Sequence, residues 1–228
     1  MNKPIIFLGP SLGHEKARKI LEAEYRPPAK KGDFLRLAGS GSSANIVGLV
    51  DGLFLQDYPP TPIEVYQLVI KKNTLLVGAA SLGALRAVEL EKFGMVGIGK
   101  IFELYKKGKV NADDEVAVTF AEDKQILQSE AMIDIRFNLF LAQRKGIIDE
   151  VTKRAIAKVA KSTYFPYRNY VDIIDKSKEL YPELTNHLES FSSYIYVNRQ
   201  SLKERDAIKL IRYIKERFSN QYQDNNNL

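Results

Sequence analysis

The sequence predicts an α/β fold, with a parallel-sheet core followed by a mostly helical C-terminal region. Short apolar runs in the first third do not alternate with polar residues, which is typical of strands buried on both faces of a parallel sheet. Helical patterns lie between these runs, as expected for strand–helix–strand units. After residue 124 the apolar residues recur at three- and four-residue spacing, which predicts amphipathic helices.

The predicted core contains both strands and helices. Four segments have the apolar composition of buried strands: Ile5–Leu8, a weaker run around Tyr25, Ile46–Val50 and Thr74–Val77. Three segments have the apolar spacing of helices: 15–23, 62–70 and 82–93. Glycines at 94, 97 and 99 end the last of these helical patterns.

The chain after residue 100 is predicted to be mainly helical. Its predicted elements are a short helix over 101–105, a strand over 116–120, and helices over 124–145, 149–162, 167–180 and 201–218. We expect an α/β core over 1–123 and a helical region over 124–218 packed on or beside it. The polar, Asn-rich segment 219–228 is expected to be disordered.

The composition restricts the function. The 228 residues include no cysteine, which excludes a disulfide framework, a thiolate metal site and a cysteine nucleophile. The net charge is +6, but the basic residues are spread along helix faces, so nucleic acid is not an expected partner. The apolar run near the start is too short to span a membrane, and we expect a cytoplasmic protein. No dinucleotide fingerprint is present, and no cofactor is predicted.

Polar residues follow each predicted strand. The carboxyl ends of parallel strands meet at one edge of a sheet, where ligands bind. We therefore expect one cleft at this edge. Its predicted members are Gly9, Pro10, Ser11, His14, Pro28, Lys30, Lys31, Asp33, Asp51 and Ser81.

The segment around Ser81 resembles a nucleophile elbow. Ser81 lies between a predicted strand and a predicted helix, with the small residues Ala79 and Gly83 two positions away on either side. The N–H groups of Leu82 and Gly83, at the positive end of the helix, are candidate donors to an oxyanion. Serine is also a common helix N-cap, which is the alternative interpretation.

A serine nucleophile needs a base. One candidate is His14, beside the first strand end, whereas His187 lies in the helical region and is predicted to be a surface residue. The other candidates are the adjacent Lys30 and Lys31, because a lysine serves as a base once burial or a second cation lowers its pKa.

Two further patterns are not interpreted as sites. Segment 94–100 fits the first seven positions of a P-loop, but Ile101 replaces the Ser or Thr that binds magnesium, and the segment follows a predicted helix. The acidic run 113–115 supplies oxygen ligands that suit a metal. Three consecutive acids do not face one way, however, so we expect a solvated loop or helix cap and no metal site.

Several segments together resemble the signature segments of the TfuA family. They occur in order over about residues 4–136, and they are 9–12, 27–33, 48–52, 78–90, 93–99, 113–117 and 129–132. The resemblance implies a partner of a YcaO enzyme, which activates a backbone amide with ATP. It also implies release of sulfide from a thiocarboxylated ThiS-like sulfur-carrier protein by a Ser–Lys pair, and help in recruiting the peptide substrate. That substrate is a ribosomal precursor peptide or methyl-coenzyme M reductase.

The resemblance gives the candidate residues an order. Ser81 is the first candidate for the nucleophile and Ser11 the second, while Lys30 is the first candidate for the base and Lys31 the second. Arg86 and Glu89, one and two turns into the helix after Ser81, either orient the site or pair with each other. The alternative function is a docking protein without catalysis, in which the strand-end serines are helix caps.

Overall fold

The computed structural model describes residues 2–39, 45–53, 58–121 and 126–226. Contacts divide the chain into two compact units, a sheet unit of 1–111 with 203–228, and a helical unit of 112–202. The boundary predicted at residue 123 lies outside the described residues. The last helix groups with the sheet unit.

The sheet unit contains a five-stranded, all-parallel sheet of order β2-β1-β3-β4-β5, which confirms the predicted α/β core. The strands are β1 Ile5–Phe7, β2 Glu24–Arg26, β3 Ile46–Leu49, β4 Leu75–Ala79 and β5 Val96–Ile98. The strand order reverses between β1 and β3, and the crevice outside the carboxyl ends of such neighbouring strands is where open α/β sheets bind ligands.

The helices connect and cover these strands. In chain order they are α1 His14–Arg18, α2 Asp33–Gly39, α3 Pro62–Val69, α4 Leu82–Leu90, α5 Gly99–Lys106, α6 Met132–Arg144, α7 Glu150–Ser162, α8 Tyr170–Leu180, α9 Thr185–Asn198 and α10 Leu202–Asn226. Residues 219–226, predicted to be disordered, are therefore helical in the structure, and 227–228 lie outside the described residues. Among the described residues, no helix is both long and apolar enough to cross a membrane.

The sheet unit contains one strand that the sequence analysis missed. Val96 and Gly97 of β5 pair with Val77 and Gly78 of β4, in a segment whose glycines were interpreted only as helix breakers. The P-loop-like segment 94–100 follows a helix, as predicted, and itself contains β5. The start of α5 binds a carboxylate of the chain itself, because the N–H of Ile101 donates to Asp206 Oδ2 at 2.7 Å.

Helix α10 covers one face of the sheet. Its buried residues share one apolar cluster with β1, β3 and β4: Ala207, Leu210, Ile211 and Ile214. Gly48 of β3 permits this close packing, because a Cβ there would lie 2.9 Å from Ile214 Cδ1. An apolar face of this kind is the main source of stability for a helix within a protein.

The helical unit is built from α6, α7, α8 and α9, with a short antiparallel hairpin, β6 Phe120–Ala121 and β7 Ile126–Leu127. Helix α6 begins at Met132 and not at 124, because β7 occupies part of the predicted helix. Helix α9 was not predicted as a separate element. Its buried residues Leu188, Phe191 and Ile195 nevertheless have helical spacing.

The acidic run at 113–115 forms a short 3-10 turn, and two of its residues bind basic residues of the helical unit. Glu115 accepts two hydrogen bonds from Arg136 and lies 3.0 Å from the Lys161 ammonium. Asp114 binds Lys161 and Arg168. Burial raises the pKa of each carboxyl, but these cations outweigh it and hold both pKa values below their ordinary range. The run is an internal ion cluster and not the solvated loop predicted.

Candidate active site

The carboxylate of Asp51 organises the loop after β1. Asp51 follows β3 and is 1% exposed. Its Oδ2 accepts hydrogen bonds from the N–H groups of Gly9 at 2.9 Å and Ser11 at 3.1 Å, and its Oδ1 accepts one from the Ser11 hydroxyl at 2.6 Å. The predicted cleft residues Gly9, Ser11 and Asp51 thus meet where the strand order reverses. Three donors satisfy this buried carboxylate, as burial of a charge requires.

His14 is bonded to the backbone. Its Nε2 donates to the carbonyl oxygen of Leu8 at 2.9 Å, and its ring lies 5.8 Å from that of Tyr25, centroid to centroid. The bond ties the start of α1 to the end of β1. In this tautomer the free lone pair is on Nδ1.

The segment after β2 continues the edge of the sheet. The N–H of Ala29 donates to the Asp51 carbonyl at 2.9 Å, and Ala29 forms a parallel bridge with Gly52. Gly9 and Pro28 pack closely, because a Cβ on Gly9 would lie 2.4 Å from Pro28 Cγ. Pro10, between Gly9 and Ser11, is partly exposed.

The turn that carries the two lysines is held by carboxylates. Asp33 Oδ2 accepts from the N–H of Lys30 at 2.8 Å. Glu64, which is 4% exposed, accepts from the N–H groups of Gly32 at 2.7 Å and Phe34 at 3.1 Å. The side chains of Lys30 and Lys31 point into solvent, and the Lys31 ammonium lies 5.4 Å from the centre of the Tyr58 ring.

Glu64 is a positioning residue that the sequence analysis missed. The only signal is the spacing of Thr61 and Glu64, which fits a capping box at the start of α3. The N–H of Glu64 does donate to Thr61 Oγ1, at 3.2 Å. A capping box predicts that the Glu64 carboxylate turns back to its own helix, whereas here it reaches across to the start of α2.

Ser81 lies on a strained turn between β4 and α4. Ala80 has a φ of 65°, a region that residues other than glycine rarely adopt. The N–H of Ser81 donates to the Ala79 carbonyl at 2.9 Å, which closes a three-residue γ-turn centred on Ala80. Such strain costs roughly 1–3 kcal/mol and is found at functional sites. The Ser81 hydroxyl makes no capping hydrogen bond to α4, although a helix cap would require one.

The start of α4 offers fewer N–H groups than predicted. The N–H of Gly83 donates to the Val50 carbonyl at 3.2 Å, and that of Ala84 donates to the Ser81 carbonyl at 3.0 Å. Leu82 is the first residue of α4, so its N–H has no partner within the helix. Leu82 therefore remains the candidate oxyanion donor of the predicted pair.

The Ser81 turn packs against the Asp51 loop. A Cβ on Gly83 would lie 1.8 Å from the Leu49 carbonyl oxygen, and one on Gly52 would lie 2.1 Å from Leu82 Cδ2. The N-terminus of α4 therefore rests on the end of β3. These contacts place Ser81 and Asp51 on the same edge of the sheet.

Arg86 and Glu89 pair with each other. Arg86 Nη1 donates to both carboxylate oxygens of Glu89, at 2.9 and 2.8 Å. Arg86 Nε also donates to the Pro60 carbonyl at 2.9 Å, which ties the segment before α3 to α4. Of the two interpretations, the contacts support pairing, and they add a role in holding that segment.

The predicted Ser–Lys pair is not joined by a hydrogen bond. Within the described part of the chain, no hydrogen bond links Ser81 to Lys30 or Lys31, and Ser81 is 2% exposed. His187, on α9, lies 3.2 Å from Thr152 Oγ1 and 3.8 Å from Asp149 Oδ2, both through Nδ1. Because both partners share one ring nitrogen, this trio is not a nucleophile–base–acid relay. The described residues contain no group of three metal-binding side chains.

Comparison with known proteins gives one family. Residues 51–169, more than half of the chain, match a family model described as TfuA-like protein. The matched range contains Asp51, Ser81 and Arg86, but not Ser11 or Lys30. No curated protein matches the chain.

Proposed function

The chain belongs to the TfuA-like family, and from this premise we propose that it is the partner of a YcaO enzyme in peptide backbone thioamidation. In this proposal it hydrolyses a thiocarboxylated ThiS-like sulfur-carrier protein to release sulfide, and it aids recruitment of the peptide substrate. A thiocarboxylate is an acyl donor, so a serine suffices as the nucleophile and no cysteine is required.

The observation that supports catalysis is the strained turn at Ser81. The left-handed conformation of Ala80 presents a serine at the end of a parallel strand, with a hydroxyl that does not cap the helix it precedes. A structural serine at this position would be expected to accept a bond from the first turn of α4. A sharp, strained turn between a strand and a helix is also the feature that defines a nucleophile elbow.

The proposed reaction has two steps. The Ser81 oxygen attacks the carbonyl carbon of the thiocarboxylate, and the C–S bond breaks to give an acyl ester of Ser81. The hydroxyl proton leaves with the sulfur as hydrosulfide. Water then attacks the ester, which releases the carrier's carboxylate and a proton and regenerates Ser81.

Two groups support these steps in the proposal. The N–H of Leu82, at the positive end of α4, donates to the oxyanion of the tetrahedral intermediate. Lys30 is the first candidate for the base and Lys31 the second. Both are exposed on a turn whose backbone Asp33 and Glu64 hold in place, so a base role requires the bound carrier tail to bring a lysine side chain to Ser81.

A docking protein without catalysis is the second candidate. The burial of Ser81 and the absence of a hydrogen bond from Ser81 to either lysine, within the described residues, favour it. In this case the strand-end edge holds the carrier tail, and sulfide release occurs on the YcaO enzyme.

Sulfide release from a thiocarboxylated carrier protein tests the proposal. Wild type is compared with Ser81→Ala, Lys30→Ala and a matched control, Lys72→Ala, which removes an exposed lysine between α3 and the start of β4. Catalysis predicts at least a hundredfold loss for Ser81→Ala and no change for Lys72→Ala. Circular dichroism and thermal unfolding check that each variant is folded.

Each remaining outcome rejects part of the proposal. If wild type releases no sulfide, docking remains as the function, whereas equal release by Ser81→Ala and wild type shows that Ser81 is not the nucleophile and makes Ser11→Ala the next variant. If only Ser81→Ala is inactive and Lys30→Ala is not, then the base is another residue, and Lys31→Ala is the next variant.

A further inference from the structure

An open groove lies between α8 and α9 in the helical unit. Its volume is about 730 Å3, within the range of ligand sites. Side chains of both helices and of Arg199, the residue after α9, line it, and those of the helices include Tyr170, Val171, Ile174, Asp175, Ile195 and Tyr196. The floor is formed by the buried Ile174 and Ile195, which belong to the core of the unit.

The rim of the groove is apolar and uncovered. Tyr196 is 92% exposed and Val171 is 68% exposed, on opposite helices. Single exposed apolar residues are ordinary on protein surfaces, but two that border a groove with an apolar floor mark a candidate binding surface. Tyrosine is also enriched at protein interfaces.

The groove carries opposite charges at its two ends. The Arg199 guanidinium lies 5.8 Å from the centre of the Tyr170 ring, and Asp175 lies about one and a half turns further along α8, roughly 7.5 Å. Asp175 makes no ion pair with any residue that the structure describes. Arg199 binds Glu130 Oε1 through Nη2 at 2.6 Å, with its side chain still half exposed.

We propose that this groove binds an amphipathic helix of a partner protein, with aliphatic residues on one face, an acidic residue that meets Arg199 and a basic residue one to two turns away that meets Asp175. Aliphatic residues spaced at three and four positions would cover Val171, Ile174, Ile195 and Tyr196. The two charges fix the direction of the helix, since reversal places like charges together.

The surroundings of Glu130 make Arg199 available to a ligand. Glu130 faces Arg199, Asp134 and the Tyr170 hydroxyl. Burial, and to a lesser extent the Asp134 carboxylate, raise its pKa and Arg199 opposes the shift, with a net result of about 7. Below that pKa Glu130 is neutral, so the Arg199 charge is free for a carboxylate of the partner. The proposed binding is therefore tighter at pH 6 than at pH 8.

Fluorescence anisotropy with a labelled helical peptide tests the proposal on the full chain. The probe is a 16-residue amphipathic peptide with leucines at helical spacing, and with a glutamate and a lysine seven residues apart at the edge of its apolar face. A second peptide has lysine in place of the glutamate. The protein variants are Tyr196→Ser, Val171→Ser and Arg199→Gln. The matched control is Val197→Ser, because Val197 is also exposed on α9 but does not line the groove.

The expected result is saturable binding that weakens about tenfold or more in Tyr196→Ser and Val171→Ser and less than twofold in Val197→Ser. Arg199→Gln removes the preference for the glutamate peptide, and Glu130→Gln removes the difference between pH 6 and pH 8. Absent binding, equal binding of both peptides, or equal loss in Val197→Ser overturns the proposal. So does self-association that Tyr196→Ser abolishes, because the occupant is then a second copy. None of these results depends on sulfide release.

Discussion

The Ser11 hydroxyl donates a 2.6 Å hydrogen bond to the buried Asp51 carboxylate, which also accepts hydrogen bonds from the N–H groups of Gly9 and Ser11. The Ser11 hydroxyl is therefore used to hold the loop after β1 against Asp51. Ser81 differs, since its hydroxyl caps nothing and its turn is strained. The two serines that the sequence placed at one edge of the sheet therefore have different roles in the structure.

Ser11→Ala should lower stability but keep sulfide release. Loss of one hydrogen bond to a buried carboxylate costs about 1–3 kcal/mol, and chemical denaturation measures it. If Ser11→Ala abolishes sulfide release at a temperature where it is folded, while Ser81→Ala does not, then Ser11 is the nucleophile.

Gly83→Ala should unfold the edge of the sheet or displace α4. A Cβ there would lie 1.8 Å from a backbone oxygen, which cannot move as a side chain does. We expect a loss of about 3 kcal/mol or more, as for severe overpacking. Gly13→Ala is the matched control, because no atom lies within 4 Å of its Cβ position and its φ is −62°. Similar melting temperatures for the two variants would contradict the packing described.

Arg168→Met should strongly destabilise the helical unit. The Arg168 side chain is 1% exposed, and its guanidinium donates to the carbonyls of Ala160, Thr163 and Asp114 as well as to the Asp114 carboxylate. Removing one member of such a buried pair costs about 3–5 kcal/mol. Arg154→Met is the control, since Arg154 pairs with Glu150 on the surface with its side chain 78% exposed. That change should cost less than about 1 kcal/mol.

Glu130→Gln should change how stability depends on pH. The pKa of Glu130 is raised to about 7 from 4.5 in the folded state, so ionisation opposes folding as pH rises between these values. Wild type should lose up to ~3 kcal/mol from this residue between pH 5 and pH 8, and the variant should not. Denaturant unfolding at both pH values measures the difference, with the exposed Glu179→Gln as control. An identical pH dependence of stability in wild type and Glu130→Gln would contradict the raised pKa of Glu130 in the folded state.

The core strands could be predicted because burial on both faces leaves a direct signal in the sequence. Ile5–Phe7 and Ile46–Leu49 are apolar at every position except Gly48, and both were found close to their predicted places. β5 was missed because its three residues are only partly buried and include Gly97, between two further glycines. A glycine indicates only that the backbone can adopt unusual conformations. It therefore does not distinguish a short strand from the end of a helix.

The members of the site could be predicted more fully than their bonds. Alternation of strands and helices was enough to place Gly9, Ser11, Asp51 and Ser81 on one edge. The hydrogen-bond partner of each polar group could not be predicted, because it depends on distances between segments far apart in sequence. The Gly83 N–H bonded to Val50, and the Glu64 carboxylate that holds the turn after Lys30, are examples.

Helix α10 has a consequence for the order in which the chain acquires structure during synthesis. The α10 residues that cover the sheet, Ala207 to Ile214, leave the ribosome more than 100 residues after β5, the last strand of the five-stranded sheet. The helical unit is continuous over 112–202 and is therefore free to fold first, while the sheet still exposes an apolar face. Nascent chains usually fold from the N-terminus onwards. Here the chain order allows the inserted unit to fold before the sheet unit is complete, and a chain that stops before α10 lacks the helix that covers one apolar face of the sheet.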